Sequence, residues 1–147
     1  MEETLLTPSQ ERSLQASLLL FEKSLRRAVR LLSDEDEIGI LYYRKSYMDI
    51  QSRELIQKKI ANTLVELENF TEKLGLRPIE ESLESTIMAE MSISWESLEE
   101  SRSKRMRGYG KLSPQAVEII DPAIDHFARI ALGLSSIFTS KPSNKNE

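Results

Sequence analysis

A chain of 147 residues that is 39% hydrophobic and 30% charged is long and apolar enough to enclose one core without covalent staples, and too apolar for wholesale disorder. It contains no cysteine, which excludes disulfides, thiolate nucleophiles and cysteine-held zinc or iron–sulfur centres, and fits a reducing, cytoplasmic setting. A net charge of −4 disfavours whole-surface attraction to nucleic acid or anionic lipid and leaves only local basic patches to consider.

Residues 1–10 lack the basic start and apolar run of a signal peptide, and no uninterrupted apolar stretch reaches the length of a membrane span. The expectation is a protein with no membrane partner. Glycine and proline number five each and fall mainly between periodic segments. Few, long elements follow, and the fold class expected is all-α: a bundle of about four antiparallel helices over residues 8–138, between a flexible N-terminus (1–7) and a disordered tail (139–147).

The first helix opens at Thr7-Pro8-Ser9-Gln10, where threonine caps, proline suits the first helical position and glutamine reaches back to the cap. Leu14, Leu18, Phe21, Leu25 and Leu32 then recur at helical spacing, and Leu19, Leu20, Val29 and Leu31 widen the stripe toward a second neighbour. Ser33 followed by Asp34, Glu35, Asp36 and Glu37 reads as the dipole-matched start of a second helix, or less simply as an acidic cation site that lacks the spacing and glycine of an EF-hand. The apolar rhythm runs on through Leu41, Met48, Ile56, Ile60, Leu64 and Leu67 to Gly75, with a bend expected near Gly39 or Met48 to Ser52, where the stripe thins. On that reading Tyr43 and Tyr47 share one helical face.

Pro78, Glu80 and Glu81 supply the next start, and Ile79, Leu83, Ile87, Met91, Trp95 and Leu98 form the inward line of a third helix. Ser113-Pro114 opens the last helix, with Val117, Ile120, Ile124, Phe127, Ala131, Leu134 and Phe138 in steps of three and four. Ile119, Ala123, Ile130 and Ile137 add a second apolar face. Pro122 removes an amide donor, so the helix is expected to be kinked or split there, with Asp121 as the cap.

The sharpest local feature is Ser101 to Lys111, where Arg102, Lys104, Arg105, Arg107 and Lys111 surround Tyr109 between two glycines. Such a segment suits an anion, whether an acidic protein, a phosphate-bearing partner or a single-stranded nucleic acid with Tyr109 stacking. The plainer account is that cations offset the dipole at a helix end, but two would suffice for that. His126 is the single histidine and has Ala123, not a carboxylate, three residues before it, unlike the Glu-x-x-His pairs of dimetal bundles. Glu80, Glu81, Glu84 and Glu90 resemble the paired acids of helical metal-dependent nucleotide pyrophosphohydrolases, although the second helix offers only isolated Glu66, Glu68 and Glu72.

The sequence thus leads to a non-enzymatic interaction module that self-associates as a homodimer, since its first and last helices carry more apolar surface than a closed four-helix monomer uses. Leu19, Leu20, Ile130 and Ile137 are the candidate contacts. Anion binding through the basic segment is the alternative, a small metal-dependent hydrolase the third reading, and no cofactor or metal is expected.

Overall fold

The structure, a computed structural model, describes residues 5–33 and 36–137. The fold is all-α, with one small β-hairpin. The order is α1 (Pro8–Ser33), β1 (Glu37–Ile38), β2 (Tyr43–Arg44), α2 (Ile50–Leu74), α3 (Leu83–Glu99), α4 (Ser103–Met106), a single 3₁₀ turn (Arg107–Tyr109) and α5 (Pro114–Ser136). Packing divides the chain into two compact units, Met1–Pro78 and Ile79–Glu147. The expected disordered tail, Phe138, the acids Asp34 and Glu35, and residues 1–4 of the expected flexible N-terminus lie outside the described residues.

In the first unit α1 starts as its sequence requires. The Gln10 amide donates to Thr7 Oγ1 at 3.1 Å and the Thr7 amide to Gln10 Oε1 at 3.0 Å, closing a reciprocal capping box. α2 does not begin at Ser33. Asp49 caps it, accepting the Ser52 amide at 2.7 Å, and Gly75 ends it at φ 68°, a left-handed conformation that its missing side chain permits. Two hydrogen bonds fix α1 and α2 as antiparallel: Gln15 Nε2 near the start of α1 donates to the Arg77 carbonyl beyond α2, and Arg53 Nη1 near the start of α2 donates to the Leu32 carbonyl at the end of α1.

The expected single helix over 34–74 is therefore corrected by the hairpin. Ile38, Ile40, Tyr42 and Tyr43 are β-branched or aromatic residues set around Gly39, a composition that favours strands over helices. Glu37 pairs with Arg44 and Ile38 with Tyr43, while the Gly39 amide bonds the Tyr42 carbonyl at 2.8 Å. The Tyr42 ring lies over Gly39, where an added Cβ would fall 2.6 Å from it, and its hydroxyl donates to Glu37 Oε1 at 2.8 Å. Arg44 Nη1 bonds the other oxygen of Glu37 at 2.6 Å. These two donors, Tyr42 first, hold the Glu37 carboxyl below its usual range. Tyr43 consequently stands on β2 and Tyr47 in the non-helical segment before α2, not on one helical face.

In the second unit Ser82 caps α3 by accepting the Ser85 amide, so Glu80 and Glu81 precede that helix and do not open it. Ser113 caps α5 in the same way at the Ala116 amide. α5 runs through Pro122 as one helix, not two. α5 packs back along α3, and Ala128 and Ala131 are its buried residues.

Each helix turns one narrow line inward. In α2 the less exposed residues include Arg53, Gln57, Ile60, Leu64, Leu67, Thr71 and Leu74, in steps of four and three, which is the spacing of a two-helix seam. In α5 they include Val117, Asp121, Ile124, Ala128, Ala131 and Ser135, again in fours and threes. Among the described residues the buried hydrophobic side chains are Ile60, Ala128 and Ala131. Ile60→Ala is therefore expected to destabilise the first unit by about 2–5 kcal/mol, the cost of emptying a buried aliphatic site. Leu55→Ala, at a residue 67% exposed, should cost less than about 1 kcal/mol. Urea denaturation of the two variants checks the contrast.

Candidate anion site and apolar faces

The basic segment 102–111 is held by a polar clasp between its first residues and α5. Arg102 forms a fork on Glu99, with Nε to Oε2 at 3.1 Å and Nη2 to Oε1 at 2.8 Å, and its Nη2 also meets Asp125 Oδ1 at 3.2 Å. Asp125 passes its second oxygen to Arg129 Nη2 at 2.6 Å. Beside this chain, Asp121 accepts the Ser103 amide at 2.9 Å and the Ser103 hydroxyl at 2.6 Å. Ser103 is the one buried polar residue among those described, and both its donors are used. The expectation that Asp121 would cap a helix beginning at Pro122 is thus corrected: its carboxylate bonds the first residue of α4, eighteen positions earlier in the chain.

Charge follows from these contacts. The Ser103 hydroxyl and then its amide hold Asp121 below the usual carboxylate range, Arg129 and then Arg102 do so for Asp125, and Arg102 does so for Glu99. The Glu99 and Asp125 carboxylates in turn raise the Arg102 guanidinium, already charged at any ordinary pH.

The six residues singled out for anion binding therefore fall into two groups. Arg102 is committed to two carboxylates and fixes the corner. Lys104, Arg105, Arg107 and Lys111 are exposed and their side chains make no hydrogen bond or ion pair within 4 Å among the described residues; Tyr109 is 95% exposed. α4 and the 3₁₀ turn place the first three of these cations within four consecutive residues, and Glu99, Arg102, Lys104 and Arg105 line a shallow concavity.

Of the candidate self-association residues, Leu19 is half-buried on α1, whereas Leu20, Ile130 and Ile137 are exposed. Phe127, expected on the inward line of the last helix, is 52% exposed, because the small residues Ala128 and Ala131 take the contact with α3. Trp95 is half-buried on α3, and His126 is exposed with its ring 5.8 Å from that of Phe127. Among the described residues no three histidine or carboxylate side chains converge as a metal-holding group, and no helix is long and apolar enough to cross a membrane.

Sequence reasoning missed the clasp because its members lie on three separate elements. Its local signals were the short-range pairs Glu99 with Arg102 and Asp125 with Arg129, three and four residues apart, and Asp121 one helical turn before Asp125.

Each clasp carboxylate has a lowered pKa in the folded chain, so its contribution to stability is complete above the unfolded carboxylate value near about 4 and is lost as pH falls through the lower folded values. The unfolding midpoint should fall on acidification below about pH 4, and Asp121→Asn should flatten that acid limb. Ser103→Ala, which leaves Asp121 its amide bond, should cost on the order of 1 kcal/mol at pH 7. Thermal unfolding across pH checks both. No known protein family, curated protein or solved structure matches the chain.

Proposed function

We propose that this chain is a non-enzymatic helical interaction module that works by self-association. The observation that supports this is where the apolar side chains stand. Among the described residues the buried hydrophobic side chains are Ile60 in the first unit and Ala128 and Ala131 in the second, while Leu20 and Phe21 on α1, Leu55, Val65 and Phe70 on α2, Phe127, Ile130 and Leu134 on α5, and Ile137 at its C-cap are exposed. Apolar side chains left exposed within a unit are surface that a contact with another macromolecule would cover. A second copy is the simplest partner, because a twofold pairing uses the same patch twice. The cysteine-free composition fits work in the cytoplasm.

A dimer at micromolar concentration is the expected outcome of light scattering across a dilution series. A monomer mass at every concentration would remove the self-association reading.

The exposed cations favour a second reading, capture of an acidic or phosphate-bearing partner. Among the described residues no carboxylate engages Lys104, Arg105, Arg107 or Lys111 in a hydrogen bond or ion pair, and they follow a corner that Arg102 and Ser103 hold in place. Replacing Arg105 and Arg107 with glutamine should leave helicity unchanged and weaken retention on heparin. Each lost contact should flatten the slope of log affinity against log salt by roughly 0.7 to 0.9. Failure of the unaltered chain to bind heparin at low salt would exclude this reading.

A further inference from the structure

Between Glu100 and Glu118 the chain carries five cations and no carboxylate, although its net charge is −4. The excess is local. Arg102 is consumed by Glu99 and Asp125, which leaves Lys104, Arg105, Arg107 and Lys111. The charges of Glu99 and Asp121 reach Arg105 and Arg107, but both carboxylates already bond other donors, Glu99 the Arg102 guanidinium and Asp121 the Ser103 amide and hydroxyl. Four exposed cations along eight residues suit a partner whose negative charges also recur along a chain.

The ring among these cations describes that partner further. Tyr109 ends the 3₁₀ turn, lies between the third and fourth of the cations in the chain, and is 95% exposed. A tyrosine ordinarily lays its ring on apolar neighbours and keeps only the hydroxyl in water. Here the ring itself is in water. Gly108 and Gly110 set no side chain beside it, and a Cβ added at either would meet nothing within 4 Å. Gly110 has φ 137°, a region that favours glycine, and its amide closes the turn on the Arg107 carbonyl at 3.2 Å. An acidic peptide supplies charge without a flat ring at each step, whereas every nucleobase offers a face to an aromatic side chain. Bases in a duplex are stacked on one another, and α4, of four residues, is too short to read a groove. Charge and ring together select an unpaired strand.

We infer that residues 104–111 bind a single-stranded nucleic acid, with the four cations meeting its phosphates and the Tyr109 ring stacking on one of its bases. The inference rests on the anion-capture reading and adds the class of polyanion and the residue that recognises it. Neither contact depends on the identity of the base or on a 2′-hydroxyl, so DNA and RNA strands are bound alike.

The experiment uses the full chain, unaltered and as Tyr109→Ala and Tyr109→Phe, both at an exposed position so that the unit still folds. Circular dichroism verifies the helicity. The probes, at low salt, are oligothymidylate and oligouridylate of about twelve nucleotides, an abasic strand of the same length, the duplex of the oligothymidylate with its complement, and heparin. Tyr109→Ala should weaken both oligonucleotides by about tenfold, the loss of one stacked base, and Tyr109→Phe by less than about twofold. The same alanine should leave affinity for the abasic strand, the duplex and heparin within about twofold, since none of them offers an unpaired base. If Tyr109→Ala does not weaken the oligonucleotides, or weakens the duplex or the abasic strand as much, the single-strand assignment is wrong. Heparin retention that depends on Arg105 and Arg107 would then keep the anion-capture reading, for an acidic protein. Failure of the unaltered chain to bind any of these probes would overturn both.

Discussion

When one helix packs against one other, the residues that leave water are those recurring every three and four positions along the facing line. A pair of helices therefore encloses a strip and not a core. Both units of this chain are built on that limit. In the first, the strip of α2 holds a single buried aliphatic side chain, Ile60, among polar residues such as Gln57 and Thr71. In the second, Ala128 and Ala131 let α5 lie close to α3, and the closeness leaves larger neighbours outside. Within each unit, taken by itself, such a strip leaves apolar side chains exposed on the outward faces of its helices. The proposed self-association follows from the same limit.

The second unit supplements its thin strip with a network of charges. Glu99, Arg102, Asp125 and Arg129 form a continuous run of ion pairs, and Asp121 satisfies both donors of the buried Ser103 beside it. Exposed ion pairs contribute little individually, but a network that also closes the hydrogen bonds of a buried residue fixes a geometry. What it fixes is the corner between α3 and α5. One consequence is a division of labour in the basic segment: the first cation is spent on the fold and the later ones face solvent.

The exposed apolar side chains of α5 and the cations of the 102–111 corner are chemically separate. α5 is free of charge toward its C-terminal end, whereas the corner is cationic and nearly free of large apolar residues apart from Tyr109.

Much of this architecture was legible in the residues themselves. The Thr7–Gln10 box, the stop at Gly75 and the start at Ser113-Pro114 are local signals, because capping joins groups three or four residues apart, and each is found where the sequence placed it. The all-α class followed from periodicity alone. Residues 36–49 of the expected second helix are not helical, because that reading followed hydrophobic spacing and gave too little weight to the β-forming run around Gly39. Within α5 the sequence placed Phe127 and Ala131 on one inward stripe, and only packing decided that Ala131 and Ala128 face α3 while Phe127 stays outside. The role of Asp121 was likewise beyond local reading. Its donors come from Ser103, far away in the chain, and a contact of that kind exists only once the tertiary fold has brought the two helices together.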